Sequence, residues 1–382
     1  MNAVVGYYTT DFGELWEHSL DSLIHEAMYG VLHASNMDPK HVDAVFLGNM
    51  LGGVLNDQLL LSSHVCQDLG KNIPVYRMEA ACASGGLAFQ AATEYLSAGK
   101  NRTVLVVGAE KMTDQTPDLV TKSLATAAAT EEQHVGLTFP GLYGIMAQAY
   151  LERFGYTEEH LAYISVKNHD HATRNKHAQF HIPMTVDQVM ASMYVAKPLK
   201  VLDSSPISDG AAAVIISNDP KVISSHQSVR ILASETATDT AELARRTDIT
   251  SLQSTKIASN KAFKQAKLTH KDIDVLELHD CFTIAEILAM EDLGFWAPGK
   301  GGAYAKEMRT HINSSYPLTA NTSGGLKAAG HPVGATGVKQ IGELYLQLTQ
   351  NASERQVKKA QYGLAHNVGG SGGVAVVSIL GV

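Results

Sequence analysis

Hydrophobic and polar positions recur along the chain in two series of segments that resemble each other. Residues 41–48 form a polar start followed by a short apolar run, and residues 272–279 repeat this arrangement. Each run follows a segment whose apolar residues have helical spacing, so a helix followed by a strand is predicted twice. Such self-similarity predicts that the chain contains a duplicated unit.

Two more pairs of segments extend the repeat. Glycine-led helices are predicted at residues 86–96 and 337–346. The apolar runs 210–217 and 373–378 are short and continuous, as is typical of fully buried strands. Strands that alternate with helices predict an α/β protein of layered sheets, with the active site where the strand ends of the two halves meet.

The two halves differ by an insertion in the first. A long stretch separates the strand predicted at 103–108 from the strand at 211–217, whereas the corresponding strands of the second half nearly adjoin. Helices are predicted within the insertion around 144–154, after a break at Pro140-Gly141, and around 158–172. A long excursion between core strands is commonly a lid or binding wall. The chain is therefore divided into a first half, an inserted loop domain and a second half, at residues 1–109 with 206–222, 110–205 and 223–382.

Composition narrows the classes of function. The 382 residues are 45% hydrophobic and 18% charged, with a formal net charge of −8 and a pI near 6.1. This acidic balance provides no basic footprint for nucleic acid or an anionic membrane surface. No apolar stretch reaches the roughly 20 residues of a membrane span, and the N-terminus lacks the pattern of a signal peptide. We therefore expect a soluble, cytoplasmic protein.

The cysteines and histidines do not predict a metal site. Cys66, Cys82 and Cys281 are too few and too scattered for a disulfide framework or a four-ligand zinc site. The densest group of histidines includes His169 and His171, which are near neighbours that would not converge on one helix face. Cys66 matches no motif and is expected to pack in the core.

Cys82 is the first candidate for chemistry. An extended segment at 73–77 precedes it and a helix is predicted at 87–98, so Cys82 lies at a strand-to-helix turn. Unpaired N–H groups and the positive end of the helix dipole favour a thiolate there, which predicts a pKa lowered from about 8.5 toward neutrality. The alternative is a buried cysteine in a seam of small residues between helices.

A glycine-rich loop at 324–337 carries the second candidate, His331. The His331-Pro332 pair places an imidazole at a rigid turn, where it can take a thiol proton and later donate to an oxyanion. A strand-turn-helix of the dinucleotide-binding type does not precede the loop, so a dinucleotide site is not predicted. The alternative is a histidine that caps a turn.

Two further segments could complete a site. His279 and Cys281 follow the strand predicted at 273–278 and precede a predicted helix. Residues 366–373 are predicted as a tight turn between strands, whose glycines allow backbone N–H groups to face a ligand. Neither segment identifies a function by itself.

Together the four segments resemble the active-site loops of the thiolase superfamily, over nearly the whole chain. Residues 82–84 read Cys-Ala-Ser and match its Cys-x-Ser pattern, and residues 330–332 read Gly-His-Pro, as in that family. Biosynthetic and degradative thiolases read Asn-Glu-Ala-Phe where residues 279–282 read His-Asp-Cys-Phe, the version of the sterol-carrier-protein-type and archaeal-like branch. Asn367 stands where the usual Cys-x-Gly pattern places a second cysteine.

The resemblance implies a fold and a reaction. It implies two βαβαβαββ halves in αβαβα layers, and an acyl-CoA C-acyltransferase that acts reversibly on acetyl-CoA and acetoacetyl-CoA or 3-ketoacyl-CoA through an acyl-cysteine. Coenzyme A thioesters would be its substrates, with no tightly bound cofactor and no metal. A homodimer or homotetramer is implied and, by analogy, a small OB-fold, zinc-ribbon partner and an HMG-CoA synthase.

The resemblance also implies roles for individual residues. Cys82 would be the nucleophile, His331 would assist its ionisation, and Cys281 would replace the missing second cysteine as the base for the α-proton. Imidazole N–H groups of His279 and His331 would stabilise the enolate oxygen. The remaining candidates are oxyanion or substrate contacts, namely the Cys82 N–H, Gly369, Asn367, Asn321, Tyr143 and Met146.

The insertion is expected to supply the acyl pocket. An apolar stretch there offers Phe139, Leu142, Tyr143 and Met146 as lining residues, with a local core as the alternative.

Two other functions stay open. A ketosynthase or chalcone-synthase-like enzyme shares the fold and a Cys with a His, but those relatives lack the His-Asp-Cys-Phe segment. A non-catalytic acyl-CoA or lipid-binding homologue is the second, and the retention of Cys82, Cys281 and His331 argues against it.

Overall fold

The computed structural model describes residues 1–382. Its strands are β1 (Ala3–Thr9), β2 (Ala44–Gly48), β3 (Val75–Met78), β4 (Thr103–Glu110), β5 (Tyr194–Ala196), β6 (Leu199–Lys200), β7 (Gly210–Ser217), β8 (Val229–Thr238), β9 (Val275–Glu277), β10 (Thr319–Ala320), β11 (Tyr362–Gly369) and β12 (Val374–Gly381).

The α-helices connect and cover these strands. They are α1 (Leu20–Ala34), α2 (Gly52–Leu55), α3 (Leu61–Leu69), α4 (Ser84–Ser97), α5 (Pro117–Ala125), α6 (Thr130–His134), α7 (Phe139–Phe154), α8 (Glu158–Ala172), α9 (Val186–Ala191), α10 (Pro220–Ser225), α11 (Gln253–Ala266), α12 (Thr283–Asp292), α13 (Gly301–Lys306), α14 (Gly325–Ala329) and α15 (Val333–Leu348). Short 3-10 helices lie at Pro39–His41, Val201–Asp203, Leu243–Arg245, His270–Asp272 and Ser353–Arg355.

The sheet confirms the duplication. Strands of the first half follow the order β3-β2-β4-β7-β1, and strands of the second half follow the equivalent order β10-β9-β11-β12-β8. The two sheets join where β1 pairs with β8, through Ala3 with Arg230 and Val4 with Val229. Each half therefore repeats one βαβαβαββ unit.

Helices α4 and α15 form the middle layer of the molecule. Apolar residues of both helices pack in one buried cluster with residues from the strands of both halves. On the outer faces, α1 and α3 cover the first sheet and α11 and α12 cover the second. The result is the predicted αβαβα arrangement, because each sheet buries both of its faces.

Glycines bring the two middle helices into backbone contact. A Cβ at Gly85 would lie 2.6 Å from the carbonyl oxygen of Gly334, and a Cβ at Gly334 would lie 2.5 Å from that of Ala109 on the adjacent strand β4. Only glycine permits so close an approach. This crossing holds the N-terminal ends of α4 and α15 side by side, and Cys82 and His331 lie at those ends.

The insertion lies between β4 and β7 and consists of α5 to α9 with the two-stranded β5–β6 sheet. Helix α8 matches the segment predicted at 158–172. Helix α7 begins at Phe139, so the predicted break at Pro140-Gly141 is wrong. Proline is tolerated in the first turn of a helix, because its missing N–H would have no partner there.

The final loop also differs from the prediction. His366 to Gly369 belong to β11, and the turn lies beyond them, before β12 begins at Val374. None of the helices combines the length and the apolar character that crossing a bilayer requires. The predicted division at 222–223 stays a prediction, and α10 links the two halves there.

Candidate active site

Cys82 sits on a tight turn between β3 and α4. Ala81, just before it, has a φ of 51°, a left-handed conformation that costs an L-residue roughly 1–2 kcal/mol. Ser84 holds this turn, since its Oγ accepts from the Ala80 N–H at 3.0 Å and donates to the Ala81 carbonyl at 2.6 Å. The serine of the Cys-x-Ser pattern therefore fixes the backbone that presents the thiol.

His331 lies on the loop between α14 and α15, with its backbone N–H bound to Ser208 Oγ. Its Nδ1 is 2.7 Å from Thr336 Oγ1, and that hydroxyl donates its own proton to the Pro332 carbonyl. The Thr336 oxygen must therefore accept a proton from Nδ1. The Nε2 atom of neutral His331 is left with a free lone pair, as a general base requires.

His279 and Cys281 approach from the second half, on the loop that follows β9. The rings of His279 and His331 are 5.1 Å apart and nearly perpendicular. Cys82 Sγ and one ring nitrogen of each histidine all lie within 4.8 Å of one another. This Cys-His-His donor set would also suit a soft divalent cation such as Zn²⁺.

One cavity of about 140 Å³ joins the two cysteines. Cys82, Cys281, His331 and Gly370 line it, with its remaining wall mainly apolar. Much of that wall comes from the insertion, namely Met112, Thr121, Leu124, Phe139, Pro140, Tyr143, Ser204 and Ser205. A nucleophile, a base and a second thiol therefore share one small apolar space.

The prediction that the helix N-terminus lowers the Cys82 pKa is wrong for the free site. Burial raises the pKa of the Cys82 thiol to about 12, although hydrogen bonds from the backbone N–H groups of Gly370 and Cys82 oppose the shift. Burial also lowers the pKa of His331 to about 3 and that of His279 well below its ordinary value. Thiol and imidazoles are therefore all neutral at rest.

Cys281 is likewise protonated at rest. Burial, and then the neighbouring Cys82, raise the pKa of the Cys281 thiol, while the nearby Tyr143 hydroxyl acts in the opposite direction. A thiol with a raised pKa is a strong base once it has lost its proton.

The turn after β11 is held in place from two sides. The hydroxyl of Tyr143, which is buried, donates to the Gly370 carbonyl at 3.2 Å. Arg246 donates to the carbonyl and Oγ of Ser371 at 2.6 and 3.1 Å. The resemblance implies the Gly369 N–H as the oxyanion donor, which stays a prediction, and the next residue, Gly370, lines the cavity beside Cys82.

Two buried carboxyl groups, those of Glu110 and Asp280, bind backbone N–H groups of the loops around the site. Glu110 accepts from the backbone N–H groups of Met50, Leu51 and Gly334, and burial raises the pKa of Glu110 to about 7. Asp280 accepts from the N–H groups of Leu326 and Lys327 at the start of α14. Burial, and then Glu286, raise the pKa of Asp280. Glu110 therefore joins the start of α15 to the first half, and Asp280 joins the start of α14 to the loop that carries His279 and Cys281.

Four residues predicted as pocket lining or substrate contacts do not line the cavity, namely Leu142, Met146, Asn321 and Asn367. Met146 and Leu142 are buried in the core between α7 and α12. Asn321 accepts from the Leu278 N–H and donates to Glu286, so it shapes the loop behind His279. Asn367 is 2% exposed and bonded to the protein on all sides. Cys66 is partly buried, and its thiol donates to the Lys71 carbonyl.

Sequence reasoning missed four residues that shape the site. These are Thr336, Gly370, Arg246 and Glu110. Thr336 lies five positions after His331 at the start of a predicted helix, and that spacing could have suggested a partner for the imidazole. Arg246 and Glu110 gave no such signal, because they reach the site from segments distant in sequence.

Comparisons with known proteins cover both halves and the insertion. The family models "Thiolase, N-terminal domain" and "Thiolase C-terminal domain-like" match residues 2–219 and 235–382. The acetyl-CoA acetyltransferase of Methanothermobacter thermautotrophicus strain Delta H is 45% identical over 380 residues, 99% of this chain and 98% of that protein. Human sterol carrier protein 2 is 33% identical over 344 residues, 85% of this chain and 62% of that protein. The structure of the Ltp2-ChsH2(DUF35) aldolase has a TM-score of 0.86 at 20% identity, covering 100% of this chain and 97% of that one.

Proposed function

Because this chain belongs to the thiolase superfamily, we propose that it catalyses the reversible condensation of two acyl-CoA thioesters, with acetyl-CoA and acetoacetyl-CoA or another 3-ketoacyl-CoA as its substrates. The observation that carries the proposal is the convergence of Cys82, Cys281 and His331 on one apolar cavity. The 45% identical relative is an acetyl-CoA acetyltransferase, which supports the same reaction here.

In the first half-reaction, His331 Nε2 takes the Cys82 proton as the sulfur attacks the acyl carbonyl. A new sulfur–carbon bond forms, the bond between the acyl group and CoA breaks, and the CoA thiolate leaves with the proton held by His331. Since the Cys82 pKa is about 12 in the free site, proton transfer must accompany attack. In this proposal the tetrahedral oxyanion is stabilised by the N–H group of Cys82 and by the turn at Gly369 and Gly370.

Once the acyl group is on Cys82, the Cys281 thiol gives its proton to the departing CoA thiolate, so that CoA leaves as a thiol. In the second half-reaction, the resulting Cys281 thiolate removes an α-proton from a second acetyl-CoA. The resulting carbanion attacks the acyl-Cys82 carbonyl, a carbon–carbon bond forms, and the Cys82 sulfur leaves. Imidazole N–H groups of His279 and His331 stabilise the enolate oxygen, each such donor being worth roughly 3–4 kcal/mol. Thiolysis is the reverse sequence.

The cavity supports a preference for short acyl groups, since its volume is only about 140 Å³. The proposal needs no tightly bound cofactor, because CoA arrives and leaves with the substrate. A homodimer or homotetramer in the cytoplasm is part of the proposal. A DUF35 protein accompanies the structurally similar aldolase, which supports a partner protein here. A small OB-fold, zinc-ribbon protein and an HMG-CoA synthase are proposed as partners only by analogy.

The test is the fate of radiolabelled acetyl-CoA. The wild-type protein should form an acid-stable acetyl label at Cys82, and it should cleave acetoacetyl-CoA when free CoA is added. Cys82→Ser should lose both the label and turnover, because a neutral hydroxyl is a poor nucleophile without its own base. Binding of acyl-CoA without labelling would show a non-catalytic binding protein. Labelling of Cys82→Ser at the wild-type rate would remove Cys82 from the mechanism.

A further inference from the structure

Asn367 joins three parts of the site through one side-chain amide. Its Oδ1 accepts from the Gly86 N–H at 3.0 Å. Its Nδ2 lies 3.0 Å from the Cys82 carbonyl oxygen and 3.1 Å from His279 Nδ1. A Cβ at Gly337 would lie 2.3 Å from the same Oδ1, so glycine there makes room for the amide.

The two backbone partners fix the orientation of this amide. The Gly86 N–H can only donate, so it must face the amide oxygen, and the Cys82 carbonyl can only accept, so it must face the amide nitrogen. One amide hydrogen is then used by Cys82. The other points at His279 Nδ1, which must present a lone pair.

A neutral imidazole carries one proton. With Nδ1 acting as an acceptor, that proton is on Nε2 of His279. This nitrogen is buried and has no hydrogen-bond partner within the protein, which makes it a donor held ready for another group.

We propose that Asn367 is a positioning residue that fixes His279 as its Nε2–H tautomer, so that His279 offers a donor beside Cys82 while His331 offers an acceptor. The inference rests on the proposed function, in which the His279 donor binds the thioester oxygen of the second acyl-CoA as the enolate forms. Thr336 does the opposite at His331, where it accepts from Nδ1. Two identical side chains therefore differ in role because their Nδ1 partners differ.

The chemistry of residue 367 explains why a cysteine would not serve here. A thiol has one weak donor, whereas the amide supplies two donors and an acceptor at once. Aspartate would keep the acceptor for Gly86 but, when ionised, would have no proton for Cys82 or His279. Asn367 thus occupies the position of the usual second cysteine but has a different role, and Cys281 performs the proton transfer instead.

The tautomer can be measured directly by NMR of protein labelled with ¹⁵N-histidine. The chemical shifts of the two ring nitrogens distinguish a protonated from an unprotonated nitrogen, and His279 is assigned by the loss of its signals in His279→Gln. We expect wild-type His279 to carry its proton on Nε2 alone. A proton on Nδ1 in the wild-type protein overturns the proposal, and this measurement does not depend on any variant at position 367.

Asn367→Leu keeps the approximate size of the side chain and removes both donors. The His279 nitrogens should then shift toward values averaged over the two tautomers. Asn218→Leu is the matched control, because Asn218 also accepts from one backbone N–H and donates to backbone carbonyls, far from the site. Unchanged His279 shifts in folded Asn367→Leu would overturn the proposal, since another group would then fix the tautomer.

The kinetic readout separates positioning from general loss of structure. Condensation by Asn367→Leu should fall by about 10²–10³-fold, the cost typical of one lost oxyanion donor, while acetylation of Cys82 should fall less. Equal losses in the two half-reactions would refute the positioning role. A wild-type protein that forms no acetyl-enzyme would instead refute the proposed function, and the ring-nitrogen shifts would still decide the tautomer.

Discussion

Cys281→Ala is the substitution that best separates the two half-reactions. Cys281 is 6% exposed, and its thiol lines the cavity beside Cys82. The substitution removes one sulfur atom and keeps the backbone, whose carbonyl accepts from Ser205. The residue is small in both forms, so the loop that carries His279 should retain its position.

The expected effects on stability and on catalysis differ in size. Losing a buried atom comparable to a methylene costs about 0.8 kcal/mol of transfer free energy, small beside typical unfolding free energies of roughly 5–15 kcal/mol. Losing a general base costs roughly 10²–10⁴-fold in rate, or about 2.7–5.4 kcal/mol in activation free energy. That loss should appear mainly in condensation, because acyl transfer uses chiefly Cys82, His331 and the Gly370 turn.

The assay measures both half-reactions on the same protein. Mass spectrometry of the intact chain follows the acetyl-enzyme after mixing with acetyl-CoA, and acetoacetyl-CoA formation follows condensation. Cys66→Ala is the matched control, since Cys66 lies on α3 and outside the cavity. Condensation by Cys281→Ala at the wild-type rate would refute the reasoning, and so would an equal loss in acetylation. His279 or a water molecule would then have to be the base.

Three further predictions test other parts of the structure. Leu124→Ala should extend the range of accepted acyl chains, because Leu124 lines the cavity, whereas Met146→Ala should lower stability without changing the chain-length profile measured across acyl-CoA substrates. Gly334→Ala should lower the denaturation midpoint and slow acetylation, because overpacking costs typically 1–3 kcal/mol and displaces the start of α15; a midpoint at the wild-type value would contradict the close crossing. Burial lowers the His366 pKa to about 3. The stability that buried, neutral His366 contributes is therefore fully present above pH 6.5 and is lost as the pH falls. Between pH 7 and pH 5, the free energy of unfolding of the wild-type protein should therefore fall by about 2 kcal/mol relative to that of His366→Gln, as measured by urea unfolding. A difference that stays constant with pH would exclude this role for burial.

The sequence was sufficient for the duplicated fold. Apolar runs of strand length and apolar residues at helical spacing depend on local residues, and they predicted α8 and, to within one residue, β7. The pattern at Phe139 to Gly141 predicts a break in the chain, and this prediction is wrong because the first turn of a helix accepts proline. The predicted end of β11 is also wrong, since the glycines near the end of this strand have the sequence pattern of a turn.

The lining of the cavity was only partly predictable. Leu142, Tyr143 and Met146 are all buried and lie within one helix, whose sequence is apolar on most sides. A helix that is apolar on most sides carries no pattern that separates a cavity face from a core face. Only the packing of α7 against its neighbours decided that Tyr143 lines the cavity while Met146 lies in the core.

By itself, the sequence predicted which residues carry the chemistry of the proposed function, because Cys82, His279, Cys281 and His331 lie in short motifs whose meaning is local. It could not determine their protonation. A pKa depends on burial and a tautomer depends on the nearest partner, and both come from segments far apart in the chain. The tertiary structure alone decided that Cys82 is a neutral thiol at rest and that Asn367 faces His279 Nδ1, since the burial of Cys82 and the approach of β11 to the loop after β9 exist only in the folded chain.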